Sequence, residues 1–281
     1  MEQRRFGCAA REVAAIGQGT WCIERDNRAS VLKTLREGLD LGLTHIDTAE
    51  MYGSGAAETI TAEAIGTRRD EIFLVSKVLP QNASRAGTVA ACERSLSRLK
   101  TDRLDCYLLH WRGRHPLAET IAAFEELCAA GKILSWGLSN FDVSDMEEAL
   151  GIAGPGRIAC NQVLYHVGER AIEHAVIPWC AKHAIPVVAY SPFGQGDFPD
   201  AQSQRGKVLA DIAALHGATS RQVALAFLLR EKNVFVIPKA SKAAHAADNA
   251  GADAVRLSPD DIQRISQAFP LGPRPRGLPM L

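Results

Sequence analysis

The sequence predicts an α/β fold in which residues 1–281 form a single (β/α)8 TIM barrel domain, and three observations favour it. Short apolar runs rich in β-branched residues alternate with segments whose apolar residues recur at helical spacing. Eight such runs occur, which is the strand number of this barrel. Polar residues stand at the C-terminal ends of seven of them, where barrel enzymes build their sites.

The predicted elements follow one another with turn residues between them. Buried strands are predicted over 13–21, 44–49, 72–78, 104–111, 133–140, 158–165, 186–193 and 234–240. Helices are predicted over 28–42, 82–100, 116–132, 169–183, 220–232 and 258–269. Before the first strand, residues 5–13 predict a short hairpin that closes the bottom of the barrel. Only a short tail, residues 270–281, follows the last helix.

A doubly wound open sheet is the competing fold. That fold places a glycine-rich phosphate loop between its first strand and first helix. The segment GQGTW contains Gly17 and Gly19, but the third glycine is missing and a long polar loop separates the pair from the next helix. The barrel is therefore the favoured fold.

Composition and charge limit the class of partner. Lys plus Arg and Asp plus Glu number 32 each, so no net charge favours nucleic acid or an anionic membrane. The seven cysteines form no C-x-x-C pair, and the first residues lack the apolar run of a signal peptide. No apolar stretch approaches the length of about 18 residues that spans a membrane. We expect a cytoplasmic protein that binds a small molecule, without a nucleic-acid or membrane partner.

Four residues near the ends of the second, third and fourth strands suggest proton delivery to a carbonyl. Tyr52 is a phenol, and the ammonium group of Lys77 beside it favours the phenolate. Asp47 can supply the counter-ion that keeps the lysine charged in a partly buried site. His110 can hydrogen-bond the substrate oxygen and orient it. These groups provide a proton but no hydride, so the sequence predicts a cofactor that supplies one.

Each of these residues also has an ordinary structural interpretation. Asp47 alone fits a helix cap or turn acceptor, a strand-terminal Lys77 can reach solvent, and His110 fits a core histidine. A second enzyme class also remains open, because His45 and Asp47 form an H-x-D pair on one strand face, as in metal-dependent hydrolase barrels. The other strand ends carry no further metal-ligating set, so no metal site is predicted.

The ordered motifs resemble those of the aldo-keto reductase superfamily. The resemblance covers residues from about 13 to about 250 and rests on THIDTAEMYGSG, IFLVSKV, LDCYLLHW, GLSNF, NQVLYH, AYSPFGQG and VIPKASKAAHAADN. It implies a (β/α)8 barrel that binds NADPH without a Rossmann fold, which agrees with the missing third glycine. The sequences of the motifs GQGTW, LLHW and IPKAS are most similar to those of bacterial members that reduce small aldehydes, including dicarbonyls such as methylglyoxal.

The resemblance also implies roles for individual residues. Tyr52 would be the general acid, assisted by Lys77 and Asp47, and His110 would orient the carbonyl. Trp21 and Trp111 would line the substrate pocket together with His110. The implied cofactor-binding residues are Ser139, Asn140, Gln162, Tyr190, Ser191, Phe193, Gly194, Lys239, Ala240, Ser241, His245, Asp248 and Asn249.

The chain departs from the family pattern where the family binds the 2′-phosphate of NADPH. Ala240 follows the IPK lysine where many relatives have Ser, and Asp248 replaces a Glu. His245 stands where relatives have an Arg, and a neutral imidazole lacks the permanent charge of a guanidinium. We therefore expect NADPH to be preferred over NADH less strongly than in relatives with the Arg, and more strongly at low pH.

The loops and the tail set expectations for substrate size and assembly. The short tail predicts an open pocket suited to small carbonyls, and the polar loop 194–205 is a candidate cofactor cover. The resemblance implies a monomer. The non-enzymatic alternative is an NADP(H)-binding regulatory subunit, a role that some members of the superfamily have.

Overall fold

A computed structural model describes residues 1–9 and 11–281. Within these ranges, eight strands form one parallel sheet in chain order, and two more form an antiparallel hairpin. The hairpin strands are β1 (Gln3–Arg5) and β2 (Glu12–Ala14). The parallel strands are β3 (Gln18–Gly19), β4 (His45–Asp47), β5 (Phe73–Val78), β6 (Cys106–Leu109), β7 (Trp136–Ser139), β8 (Ile158–Leu164), β9 (Val187–Tyr190) and β10 (Val234–Val236).

Backbone contacts join the first and last strands of the sheet. Ile16 bridges Val236 and Gly19 bridges Lys239, both in the parallel sense. The amide of Gly17 donates to the carbonyl of Val236 at 2.8 Å. The two edges of the curled sheet therefore meet, which agrees with the predicted (β/α)8 class.

The predicted first strand is wrong in its extent. Residues 12–14 belong to the hairpin, and the strand in the parallel sheet is limited to 18–19, with an isolated bridge at Ile16. Close packing explains the glycines in this segment. A Cβ on Gly17 would lie 2.7 Å from the carbonyl oxygen of His45, and a Cβ on Gly19 would lie 2.6 Å from that of Ile237.

Helices follow most of the strands and surround the sheet. They are α1 (Arg28–Asp40), α2 (Ala56–Ile65), α3 (Arg85–Leu99), α4 (Leu117–Ala129), α5 (Val143–Ala153), α6 (Val176–Lys182), α7 (Gln204–Leu215), α8 (Ser220–Leu228), α9 (Ala243–Gly251) and α10 (Pro259–Ala268). Side-chain caps explain several starts: Asn27 caps α1, Ser84 caps α3, and Thr219 with Gln222 forms a capping box on α8.

Two predicted segments differ in detail. The predicted helix 169–183 is divided into a short 3₁₀ turn, Ala171–His174, and α6. The predicted loop 194–205 contains a second 3₁₀ turn, Gly194–Gly196, and its last residues already belong to α7. None of the helices in the described ranges is both long enough and apolar enough to cross a membrane.

The hairpin inserts an aromatic side chain into the lower end of the sheet interior. Phe6 lies between the hairpin strands and is fully buried. Its ring centroid lies 4.7 Å from that of Phe73 and 5.0 Å from that of Phe235. Aromatic contacts of this kind close the end of the sheet opposite the strand C-termini, as the predicted hairpin implied.

His45 faces the same aromatic cluster and is fully buried. Its ring packs edge-on against Phe6 and Phe73, at 5.7 and 5.6 Å between centroids. Neither ring nitrogen has a hydrogen-bond partner among the described residues. Burial lowers the pKa of His45 to about 4, whereas the carboxylate of Asp47 acts in the opposite direction. The imidazole is therefore neutral in the folded protein at physiological pH.

This burial predicts acid sensitivity. The unfolded chain protonates His45 near pH 6.5 and the folded chain only near pH 4, so its stabilising contribution is complete above pH 6.5 and is lost as the pH falls. The loss amounts to roughly 3 kcal/mol across this window. We expect His45→Met to remove most of this pH-dependent loss of stability. Urea unfolding at pH 7 and pH 4.5 measures the free energy of unfolding at both ends of the window. His115→Met, at a partly exposed site, is the control; an unchanged pH dependence in His45→Met would contradict the prediction.

Candidate active site

A cavity of about 620 Å³ opens at the C-terminal ends of the strands. Cavities that bind small ligands typically measure about 300–1,000 Å³. Of the predicted catalytic residues, Asp47, Tyr52 and His110 line it. The predicted substrate-binding residues Trp21 and Trp111 line it as well. Among the predicted cofactor residues, the cavity is lined by Ser139, Asn140, Gln162, Tyr190, Ser191, Phe193 and Lys239.

Lys77 lies behind the cavity wall and is fully buried. Its ammonium group forms a salt bridge with Asp47. It also donates to the carbonyl of Thr48 at 2.9 Å and to the hydroxyl of Tyr52 at 3.2 Å. An ammonium has three donors, and here each has an acceptor. The lysine is therefore held in one position with its charge against the phenol oxygen.

The second oxygen of Asp47 also has a partner. The side-chain amide of Gln162, on β8, donates to Asp47 Oδ2 at 2.7 Å. Gln162 was predicted to bind the cofactor, and in this structure its side-chain amide binds the carboxylate of Asp47. Asp47 is thus bound on both oxygens while almost inaccessible to solvent, at 1% exposure.

Burial and charge act in opposite directions on these groups. Burial raises the pKa of the Tyr52 phenol above its usual value, and the charge of Lys77 only partly counteracts it. Lys77 therefore favours the phenolate as expected, but removal of the phenol from water outweighs this effect. Burial alone would lower the pKa of Lys77, but the Asp47 carboxylate and Tyr52 outweigh it and raise that pKa. At neutral pH the site contains a protonated phenol beside a charged ammonium.

His110 lies on the other side of the phenol. The two rings are 5.8 Å apart, edge to face, and Trp111 packs against the imidazole at 4.8 Å. Burial, followed by the charge of Lys77, lowers the pKa of His110 to about 2, so the ring is neutral. Its Nδ1 is buried without a hydrogen-bond partner among the described residues. Trp21 completes this side, with its ring 4.9 Å from that of Tyr52.

A chain of hydrogen bonds connects the ends of β6, β7 and β9. The hydroxyl of Tyr190 donates to Asn140 Oδ1 at 2.9 Å, and Asn140 Nδ2 donates to the carbonyl of His110 at 3.1 Å. Asn140 and Ser191 both have a positive φ, 60° and 48°. Non-glycine residues rarely adopt this conformation, and it is often found at functional sites. The strain therefore supports a functional interpretation of both strand ends.

Two of the predicted cofactor-binding residues, Lys239 and Ser241, meet at one carboxylate. Asp26 Oδ2 accepts from Lys239 Nζ at 2.5 Å and from the hydroxyl of Ser241 at 2.7 Å. Further along, Asp248 accepts from the hydroxyl of Thr219 at 2.9 Å. His245 is exposed.

The comparisons with known proteins decide the family. The Aldo/keto reductase family model matches residues 15–269. The chain belongs to the aldo/keto reductase family. It is 45% identical over 258 residues to the methylglyoxal reductase YeaE of Escherichia coli K12, covering 91% of each chain. It is 34% identical to the glyoxal reductase of Bacillus subtilis 168, covering 90% of this chain and 88% of the relative.

Solved structures are similar over the whole chain. An aldo/keto reductase from Klebsiella pneumoniae in complex with NADP and acetate has a TM-score of 0.93 and 44% identity, with 99% of each chain covered. Another structure of a Klebsiella pneumoniae aldo-keto reductase, in complex with NADPH, has the same TM-score and identity and covers each chain completely. The predicted family and the predicted oxidoreductase class are therefore confirmed.

Several predicted residues of this aldo/keto reductase lie outside the cavity wall. Besides Lys77, these are Gly194, Ala240, Ser241, His245, Asp248 and Asn249. Ser241 shares the carboxylate of Asp26 with Lys239, which does line the cavity. Asn249 is buried, with 4% exposure. The predicted cofactor-binding residues on α9 (His245, Asp248 and Asn249) thus do not line the cavity that contains Tyr52.

Sequence reasoning missed part of the cavity wall. Arg221 lines the cavity at the start of α8, stacked 4.7 Å from the ring centroids of both Phe193 and Phe198. It forms no salt bridge with the described residues. In the sequence, a charged residue at the start of a mostly apolar helix was the signal that could have indicated its role at the cavity wall. Met280 and Leu281 also line the cavity, so the tail contributes to the pocket wall, which the sequence did not predict.

The H-x-D pair does not extend into a metal site in the described ranges. No group of three or more His, Cys, Asp or Glu side chains is placed there to hold an ion. His45 faces the aromatic cluster, whereas Asp47 is bound by Lys77 and Gln162. The metal-dependent hydrolase alternative therefore has no observation in its favour.

Proposed function

We propose that this aldo/keto reductase uses NADPH to reduce small aldehydes and ketones, including dicarbonyls such as methylglyoxal, to alcohols. The observation that carries the proposal is the contact of Lys77 with both Asp47 and Tyr52 at the floor of the cavity. The activities in the names of the relatives, a methylglyoxal reductase and a glyoxal reductase, support this substrate class.

The side chains at the cavity fit a phosphorylated dinucleotide. Tyr190 presents an aromatic ring, and Ser139 and Asn140 supply polar groups beside it. Lys239 and Ser241 converge on a carboxylate, as they would on a phosphate oxygen. Arg221 adds a cation at the cavity wall. The complexes of similar structures with NADP and NADPH support the same cofactor.

Each of the four predicted catalytic residues, the tetrad Asp47, Tyr52, Lys77 and His110, has a distinct role in the proposed reduction. NADPH supplies the hydride when bound. The hydroxyl of Tyr52 donates the proton to the carbonyl oxygen, and the ammonium of Lys77 stabilises the phenolate that remains. Asp47 keeps the lysine charged, and Gln162 holds Asp47 in place. Neutral His110 can hydrogen-bond the substrate oxygen, while Trp21 and Trp111 provide apolar walls.

The cofactor preference follows from the residues around the 2′-phosphate. Lys239 offers one full charge, whereas Ala240 and exposed His245 replace a hydroxyl and a guanidinium of many relatives. We therefore propose that NADPH is used better than NADH, by a smaller margin than in relatives with the Arg. We also propose that this preference for NADPH over NADH is stronger at low pH.

A regulatory subunit with little turnover is the second proposal from the sequence. The arrangement of Tyr52, Lys77 and Asp47 argues against it, since binding a cofactor does not require a phenol beside a buried ion pair. We further propose that residues 1–281 form one closed (β/α)8 domain that acts as a cytoplasmic monomer. The contact between the first and last strands of the sheet supports a closed barrel. One chain supplies all four residues of the tetrad, which supports a monomer as the active form.

A substrate panel tests the proposed function. Purified protein is given NADPH with small aldehydes, dicarbonyls and keto-sugars, and kcat/KM is measured from the loss of nicotinamide absorbance. We expect the highest values for small aldehydes and dicarbonyls, because the aromatic walls are close to the phenol. Measuring kcat/KM for the best substrate with NADPH and with NADH from pH 6 to 8 gives the strength of the preference for NADPH. Absence of turnover with every carbonyl would favour the regulatory alternative.

A further inference from the structure

Asp26 binds two side chains that the proposed function assigns to the cofactor. It ends the short 3₁₀ turn Ile23–Arg25 that follows β3, and its Oδ2 accepts from both Lys239 and Ser241, at 2.5 and 2.7 Å. In the proposed function, these two donors bind the 2′-phosphate of NADPH. A single carboxylate oxygen thus uses the hydrogen bonds that the phosphate requires.

The arrangement is held from both sides but remains accessible. The amide of Asp26 donates to the carbonyl of Ile23 at 3.2 Å, and the hydroxyl of Ser30 donates to the carbonyl of Ser241 at 2.7 Å. The side chains of Asp26 and Lys239 are each 33% exposed. The hydrogen bond from Lys239 lowers the pKa of Asp26, so the carboxylate is charged at neutral pH. A ligand can therefore reach the pair, and it meets a negative charge there.

We propose that Asp26 is a specificity-determining residue whose carboxylate competes with the 2′-phosphate of the cofactor for Lys239 and Ser241. This inference rests on the proposed function. A phosphate monoester carries nearly two negative charges at neutral pH. To bind, it has to displace the carboxylate of Asp26 from Lys239 and Ser241, and the two negative groups repel each other. NADH has a hydroxyl at that position and leaves the pair with Lys239 intact. A carboxylate can also accept a hydrogen bond from a ribose hydroxyl, as in other dinucleotide sites. Asp26 therefore weakens the preference of the protein for NADPH over NADH.

Equilibrium binding without turnover tests the inference. Dissociation constants for NADPH and NADH are measured from the quenching of protein fluorescence for the wild-type chain and for Asp26→Asn. We expect Asp26→Asn to bind NADPH about tenfold more tightly, because one opposing charge is removed, and to bind NADH within about twofold of the wild type. The fragments 2′,5′-ADP and 5′-AMP should show the same contrast, which locates the effect at the 2′-phosphate.

A double-mutant cycle with Lys239 separates competition from a general charge effect. In a Lys239→Met background, Asp26→Asn should have a much smaller effect on NADPH binding, because the ammonium group for which Asp26 and the phosphate compete is absent. Asp102→Asn removes an exposed charge that pairs with Arg103 and should leave both dissociation constants unchanged. Thermal unfolding of each variant without cofactor verifies that the fold is retained.

The outcomes are distinct. Tighter binding of NADPH alone in Asp26→Asn supports the competition. Weaker binding of NADPH overturns it, since Asp26 would then serve to position Lys239. Equal changes for NADPH and NADH also overturn it. If the wild-type chain binds neither dinucleotide, the proposed function fails together with the inference, whereas tight wild-type binding that Asp26→Asn does not change removes the inference alone.

Discussion

Tyr52→Phe is expected to lower kcat for carbonyl reduction by about a thousandfold while NADPH binding changes little. The hydroxyl of Tyr52 lies at the cavity floor, 3.2 Å from Lys77 Nζ, and it is the proposed proton donor. Burial raises the pKa of this phenol, so it is in its protonated, donating form at neutral pH. Phenylalanine keeps the ring contacts with Trp21 and His110 but has no proton to give.

Steady-state kinetics and fluorescence titration measure the two effects separately. Tyr107→Phe is the matched control, because Tyr107 is also buried and its hydroxyl has no hydrogen-bond partner in the part of the chain that is described. Tyr107 packs against Phe124 in the outer core and does not line the cavity. Full turnover should persist in the control. Turnover by Tyr52→Phe at the wild-type rate would rule out the phenol as proton donor.

Lys77→Met is expected to reduce both stability and activity severely. The substitution leaves the buried carboxylate of Asp47 with the amide of Gln162 as its remaining side-chain partner. Removing one partner of a buried ion pair costs about 3–5 kcal/mol. The phenol of Tyr52 also loses the cation that stabilises its ionised form. Urea unfolding measures the free energy of unfolding, and NADPH oxidation measures activity.

The double variant Lys77→Met/Asp47→Asn separates the two losses. It removes the uncompensated charge, so most of the lost stability should return. Activity should remain low, because the ammonium group is still absent. Recovery of turnover in the double variant would contradict the proposed role of Lys77. A Lys77→Met protein as stable as the wild type would contradict the interpretation of the buried ion pair.

The sequence predicted the part of the site that depends on strand order. Asp47 and Lys77 lie near the C-terminal ends of neighbouring strands of a parallel sheet, so topology brings both to the same end of the sheet. Tyr52 lies five residues after Asp47, within reach of the same place. The motifs that resemble the aldo-keto reductases carried the family assignment, which the comparisons confirmed.

Contacts between distant loops could not be predicted in the same way. Asp26 and Lys239 are 213 residues apart, and their pairing depends on how the loop after β3 lies against the segment after β10. Loop conformations depend on many weak contacts rather than on a period in the sequence. The same reason explains why Arg221 and the last two residues of the tail were missed at the cavity wall.

By itself, the sequence determined the alternation of strands and helices, the polar strand ends and the identity of the chemical groups. These features follow from hydrophobic periodicity and local turn chemistry, which are properties of neighbouring residues. Only the tertiary structure decided the electrostatic balance at Tyr52. There, removal from water outweighs the charge of Lys77 and raises the pKa of the phenol. That balance depends on which groups exclude solvent, and exclusion of solvent is a property of the packed molecule rather than of the chain order.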